Sequence, residues 1–168
     1  LALAPQRVDV GGTSLGTLEL GATFRRLGRG FAAPGRLDDV FTYDRDWNLP
    51  RRGDAQAESR TEVQTAWRPR PEWRVGGEGG DIAGGNATAR RGVLRLERTG
   101  ATFLKGELVR GRSRVDSTVY AGRLERETLR TGTRLSIFQP GAWGEREERL
   151  DPALGEGARY RSGGGDVR

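Results

Sequence analysis

Several residue types that build common functional sites are missing from this chain of 168 residues, which contains no cysteine and no histidine. These absences exclude disulfides, cysteine/histidine zinc sites, serine–histidine–aspartate triads and histidine-activated cysteine nucleophiles. Hydrophobic residues make up only 34% of the sequence. No apolar run approaches the roughly 20 residues of a membrane-spanning helix. We expect no enzyme activity, no catalytic residue, no cofactor and no metal site.

The positive charge comes almost entirely from arginine, since Lys105 is the only lysine and the net charge is +6. Guanidinium groups recognise phosphate and carboxylate, but a GC-rich coding bias would also replace lysine by arginine. Acidic and basic residues are interleaved, as in 145–149. A nucleic-acid binder would more often carry a patch of one sign. We therefore expect no nucleic-acid partner, and no small-molecule substrate is indicated.

An uncharged register recurs with a period of two residues, which is the period of a β-strand with two different faces. The clearest example runs from Leu129 to Trp143, where every second residue is uncharged. The stretches with this alternation are 16–24, 61–67, 73–79, 92–96, 100–108, 113–121 and 129–143. The best helical candidate, 123–131, has too few apolar residues for a stripe. The sequence thus predicts an all-β protein, an antiparallel up-and-down meander that forms a barrel or part of a barrel wall.

Turns and longer irregular stretches separate these segments. We predict a turn at 68–71, and further turns or bulges at Thr99-Gly100, Gly111-Arg112 and Thr131-Gly132. Residues 27–60 are expected to form one long polar loop, Gly76–Gly85 does not fit a strand, and 151–168 is expected to be a flexible tail. The four aspartates of the loop are better explained as solvated charge than as a calcium site. Because the chain starts at Leu1 and contains no methionine, we expect one β module cut from a longer protein.

This pattern resembles segments of bacterial outer-membrane β-barrels from GC-rich Gram-negative species, in which apolar outward residues alternate with polar inward ones. The resemblance implies a hydrated pore or translocation passage in the outer membrane or at the cell surface, with lipid or other envelope chains as partners. Charges opposite the uncharged register would line the passage: Glu62, Arg68, Arg74, Glu78, Arg95, Glu97, Lys105, Glu107, Arg130 and Arg134. An aromatic girdle would comprise Phe24, Trp67, Trp73 and Trp143.

Other interpretations remain open at this stage. A soluble antiparallel sandwich or barrel would turn the uncharged register toward a protein core, although threonine, serine and glycine would fill such a core poorly. A surface β-domain could bind a protein partner through the 27–60 loop, with Tyr43 and Trp47 as anchors. A basic β-barrel could bind single-stranded nucleic acid, but Trp67 and Trp73 lie away from most arginines.

Overall fold

The fold is a single sheet of nine antiparallel strands in which each strand pairs with its neighbour in the sequence. It is seen in a computed structural model that describes residues 1–28, 47–49, 58–116, 118–135 and 138–167. The strands are β1 (Gln6–Val10), β2 (Thr13–Leu27), β3 (Glu58–Arg70), β4 (Trp73–Gly84), β5 (Ala87–Arg98), β6 (Thr102–Val115), β7 (Ala121–Thr133), β8 (Pro140–Leu150) and β9 (Gly157–Val167). The predicted all-β antiparallel meander is confirmed.

The sheet is open within the described ranges. The strand order runs from β1 to β9, β1 pairs only with β2, and β9 pairs only with β8. The chain therefore folds as a wall and not as a closed barrel in these residues. The described part of the chain holds no helix with the length and apolar character needed to cross a membrane.

The strands coincide with the predicted alternating segments wherever a segment does not run through a connection between two strands. The five stretches between residues 16 and 108 fall in β2 to β6, apart from the two residues that precede Thr102. The predicted turn at Thr99-Gly100 is confirmed, because β5 ends at Arg98 and β6 begins at Thr102. The chain also reverses at the end of the 68–71 segment, although β3 extends to Arg70 with an irregular register after Trp67. The turns expected at Gly111-Arg112 and Thr131-Gly132 are wrong: both pairs lie inside strands. Here glycine serves sheet packing, not reversal of the chain.

Two predicted segments cross a hairpin. The segment 113–121 spans the β6–β7 connection, and 129–143 spans the β7–β8 connection. In the second connection, Leu135 and Phe138 exchange both backbone hydrogen bonds, with N···O distances of 2.7 and 2.8 Å. Because the uncharged alternation continues through this hairpin without interruption, the sequence pattern gave no sign of the turn. The rejection of a helix at 123–131 is confirmed, since all of this segment lies in β7.

The glycine-rich segments are strands, contrary to expectation. Gly76–Gly85 falls mostly in β4, where a Cβ on Gly80 would overlap the Thr61 carbonyl oxygen of β3. The expected tail 151–168 contains β9, whose eleven residues pair with β8 from Gly157 to Val167. Backbone pairing stabilises these segments without a contribution from large side chains, and glycine permits close approach of neighbouring strands. Leu27 and residues 58–60, which were expected to lie in the 27–60 loop, belong to β2 and β3, and most of the residues between them lie outside the described ranges.

Pairing register assigns each strand residue to one of two faces. We call the face that carries Leu94 the band face and the face that carries Arg95 the ladder face. The buried apolar residues lie on the ladder face or pack against it. They form two clusters: Val93, Val109 and Leu124; and Trp47, Leu49, Ile82, Ala87, Ala89 and Val115. The small core of the described chain therefore shares a face with most of the paired charges.

Candidate functional site

The ladder face carries a continuous series of ion pairs across five adjacent strands, which we call the ion-pair ladder. Its members, from β4 to β8, are Glu78, Arg91, Arg95, Glu107, Arg126, Glu147 and Arg149. Every side chain points to the same side because directly opposite residues in an antiparallel pair share a face. Arg95, for example, lies opposite Glu107. The register alone brings these charges together.

The ladder is built from carboxylates that each bridge two guanidinium groups. Glu78 accepts from Arg91 and, at 2.9 Å, from Arg95 Nη1. The other edge of Arg95 donates through Nε to Glu107 at 2.8 Å. Glu107 also accepts from Arg126 Nη2, at 3.4 Å. Shared partners reduce the side-chain entropy lost for each pair, and forked guanidinium geometry suits two carboxylates at once.

The ladder continues into β8 through Glu147. Arg126 Nη1 lies 4.0 Å from one carboxylate oxygen of Glu147, and Arg149 Nη2 lies 3.2 Å from the other. In the next strand, the Tyr160 hydroxyl donates to Glu145 at 2.8 Å. The side chains of Arg126 and Glu147 are 16% and 12% exposed, so their charges are partly withdrawn from water. Such half-buried charges need the partners that the sheet supplies.

The charges predicted to line a passage share the ladder face with one exception. Register places Glu62, Arg68, Arg74, Glu78, Arg95, Glu97, Lys105, Glu107 and Arg130 on this face. Arg134 follows the last residue of β7, where its backbone N–H donates to the Ala101 carbonyl oxygen at 2.7 Å, and its orientation toward a passage stays a prediction. Sequence reasoning missed Arg91, Arg126, Glu147 and Arg149. The alternation of β5 was recognised only from residue 92, and β7 was obscured by the turn at its end.

A short segment between β2 and β3 packs onto one end of the ladder face. Trp47 is 2% exposed, and its ring lies 5.6 Å from the Arg60 guanidinium carbon and 5.0 Å from that of Arg91. Both distances suit cation–π contact, which is stronger when the groups are desolvated. Ile82, 1% exposed, belongs to the same buried cluster. The ladder end nearest the 27–60 connection is thus covered by protein, not open to water.

Asn48 fixes this segment in place. Its φ angle is 52°, a left-handed conformation that asparagine tolerates better than most residues. Its Nδ2 donates to Ser113 Oγ at 3.1 Å and to the Leu150 carbonyl oxygen at 2.9 Å. Gly122 makes room for these contacts, because a Cβ there would overlap Ser113 Oγ and lie 2.8 Å from Asn48 Nδ2.

The opposite face carries an exposed uncharged band. One complete row of directly opposite residues crosses eight strands without a charge: Leu18, Trp67, Val75, Leu96, Gly106, Leu129, Gly144 and Gly163. Large side chains in and beside this row are exposed: Leu94 and Leu129 are each 54% exposed, and Val63 is 50% exposed. Among the described residues, the uncharged register therefore does not form the protein core that a soluble sandwich would require.

The border of the uncharged band crosses the strands obliquely. In Phe24's row the uncharged residues include only β2 and β3 before Asp81 is reached. Two residues closer to the start of β2, in the row of Ala22, the uncharged residues continue to Gly92 of β5. Two residues lower again, in Leu20's row, they continue to Leu108 of β6. Leu18's row, a further two residues down, stays uncharged as far as β9. From β2 to β7 the border descends by six residues along the strands, and it is level from β7 to β9, where Glu127, Arg146 and Arg161 lie in one row.

Averaged over the whole distance from β2 to β9, this slope corresponds to an angle of about 30° for ordinary strand rise and spacing. Strands of closed barrels tilt by about 35–45° from the barrel axis, so a belt perpendicular to that axis would cross their hydrogen-bonded rows at a similar angle. The oblique border is therefore the pattern expected when a flat boundary between two media meets tilted strands.

The predicted aromatic girdle is only partly on one face. Phe24, Trp67 and Trp73 lie on the band face, whereas Trp143 lies opposite Arg130 on the ladder face. The assignment of Trp143 to the girdle is wrong because the β7–β8 connection inverts the register that was read through from Leu129. Trp67 Nε1 donates to the Leu15 carbonyl oxygen at 2.8 Å, so its polar edge is satisfied.

The predicted partner anchors do not form an exposed pair. Trp47 is buried against the ladder face and cannot anchor a partner in this conformation. Tyr43 lies outside the described residues, as do the loop aspartates. The described ranges hold no group of three or more acidic, histidine or cysteine side chains that could bind a metal ion. No protein-family model, curated protein or solved structure matches the chain.

Proposed function

We propose that this chain is part of the wall of a bacterial outer-membrane β-barrel, with the band face against lipid and the ladder face toward a hydrated pore or translocation passage. The observation that carries the proposal is the pairing of an exposed, oblique uncharged band with an ion-pair ladder on the opposite face. Sheet residues in such barrels alternate between lipid and a polar interior in the same way.

The dimensions of the band support a lipid contact. In β3, the band face is uncharged from Ser59 to Trp67. These nine residues, inclined by about 30°, cover a height of about 23 Å, close to the apolar band of about 25 Å in outer-membrane barrels. In β7 to β9 the uncharged stretch is shorter and ends near the connection that contains Leu135 and Phe138. These two residues are 56% and 58% exposed and extend the apolar surface beyond the strands.

The ladder face supports a hydrated interior. Most of its charges are paired, and some remain partly exposed, as for Arg95, whose side chain is 46% exposed. Placed against hydrocarbon, an arginine would cost roughly 2–4 kcal/mol at the bilayer midplane. The charged face therefore belongs in water and the band face in lipid. Because Trp47 covers one end of the ladder face, the passage would be narrowest near the β2–β3 connection.

Two tryptophans provide a matched test, because Trp67 is 40% exposed on the band face and Trp143 is 41% exposed on the ladder face. One protein would carry Trp73→Phe and Trp143→Phe, and a second would carry Trp67→Phe and Trp73→Phe; both retain buried Trp47. After reconstitution in vesicles, brominated lipid should quench the first protein more strongly. Acrylamide should quench the second more strongly.

The opposite result would refute the lipid contact. If acrylamide quenches Trp67 as well as Trp143 and brominated lipid quenches neither, the band faces water or a protein partner. Retention of the β-sheet signal in far-ultraviolet circular dichroism would show that both variants remain folded.

A further inference from the structure

Five arginines form a cross on the band face, immediately beyond the uncharged band. Arg90, Arg112 and Arg123 lie directly opposite one another on β5, β6 and β7. Arg110 and Arg114 lie two residues to either side of Arg112 on β6 and so point to the same face. Like charges directly opposite in a sheet are destabilising. Stability of the sheet alone therefore does not explain this arrangement.

Acidic neighbours neutralise the cross only in part, and Glu125, directly opposite Arg110, is one of them. Glu125 accepts a hydrogen bond from Arg123 at 2.7 Å, which holds the pKa of the Glu125 carboxyl below its ordinary value. Asp81 lies opposite Arg90 but forms no ion pair with it. Within the described ranges, no hydrogen bond or ion pair engages the guanidinium groups of Arg90, Arg110, Arg112 and Arg114. All four residues are exposed. This contrasts with the ladder face, where arginines bridge carboxylates.

The cross borders the uncharged band. Arg110 is the next residue on the band face of β6 after Leu108, and Arg90 follows Gly92 in the same way on β5. A surface depression of about 460 Å³ lies here, lined in part by Arg90, Arg112 and Arg114. Adjacent arginines across strands are about 5 Å apart at Cβ, and those along β6 are about 7 Å apart. Two guanidinium groups can therefore reach one phosphate group.

We propose that this arginine cross binds phosphate groups of lipid headgroups whose acyl chains contact the uncharged band. Guanidinium groups bind phosphate through paired N–H donors, and an anion between them would remove the repulsion within the row. The inference rests on the proposed function, because a sheet with its band in lipid brings the headgroup layer to this row. The shared chemistry is phosphate recognition, and the lipid is the source that the location favours.

The test uses the full chain and two variants with the same change in net charge. The site variant is Arg90→Gln with Arg112→Gln. The control is Arg70→Gln with Arg134→Gln. These two exposed arginines lie at the ends of β3 and β7 that are far from the cross. Association is measured with phosphatidylglycerol vesicles and with phosphatidylcholine vesicles. The site variant should lose about thirtyfold of its partition coefficient for phosphatidylglycerol, since each arginine near an anionic surface contributes about a factor of five. The control should retain most of its preference.

Each outcome separates the two proposals. If the wild type associates with neither vesicle, both are overturned. If it associates with both vesicles and the site variant is unchanged, or if site and control variants lose equally, only the arginine site is overturned. Binding of inorganic phosphate that depends on Arg90 and Arg112, without a preference for phosphatidylglycerol, would identify a free-phosphate site and overturn the lipid assignment. If the double variant does not fold, the single variant Arg112→Gln should lose about fivefold.

Discussion

The packing of the segment that contains Trp47 and Asn48 against Gly122 leads to a specific prediction about stability. In Gly122→Ala, the new Cβ would overlap Ser113 Oγ and would lie 2.8 Å from Asn48 Nδ2 and 2.9 Å from Pro152 Cβ. Overpacking of this kind costs roughly 1–3 kcal/mol, while loss of glycine's freedom in the unfolded chain returns about 0.4–1 kcal/mol. We expect the free energy of unfolding to fall by about 1–2 kcal/mol.

Gly92→Ala is the matched control, because nothing lies within 4 Å of the Cβ that it would add. This variant should be neutral or more stable by about 0.4–1 kcal/mol. Urea unfolding followed by the β-sheet signal would measure both. Ser113→Ala removes the hydroxyl that overlaps, so the Gly122→Ala cost should shrink when the two changes are combined. Equal stability of the Gly122 and Gly92 variants would refute the described packing of Asn48 beside β7.

Two further predictions concern the ladder face. Trp47→Ala should lower the free energy of unfolding by about 3–5 kcal/mol, because the ring is buried beside two arginines, and Trp143→Ala should cost less because that ring is partly exposed. Glu107→Gln should cost about 1–3 kcal/mol, since Arg95 and Arg126 both lose a charged acceptor, whereas Glu97→Gln, on the same face, should stay within about 0.5 kcal/mol. Urea unfolding checks all four variants, and reversal of either order would contradict the packing or the ladder.

The period-two alternation of charged and uncharged residues was sufficient to predict most of the strands, for a physical reason. A strand with different media on its faces must alternate, and β2, β4 and β6 each do so over more than half their length. Strands rich in glycine lack that signal. β9 has Gly163, Gly164 and Gly165 in sequence, so it was interpreted as a tail. Its position depends on backbone hydrogen bonds to β8, which side-chain patterns do not record.

The site was predictable only where the register was known. Glu78, Arg95 and Glu107 were assigned to one face correctly because their strands alternate without interruption. Trp143 was assigned to the wrong face because a turn inverted the register without breaking the uncharged pattern. The burial of Trp47 depends on Asn48 and Gly122, which are far apart in sequence. Local composition carries no information about such a contact.

The distribution of burial explains why the chain can carry so little apolar material. Val109 and Leu124 are almost fully buried beside the ladder, where half-buried arginines cover apolar neighbours with their aliphatic stems. The band face needs no core of its own if lipid covers it, and small residues such as Gly106 and Gly144 are tolerable there. A soluble sheet with this composition would leave Leu94, Leu129 and Val63 in water. The proposed arrangement, a sheet between lipid and a hydrated interior, would therefore account for both the scarcity of hydrophobic residues and the exposure of those present.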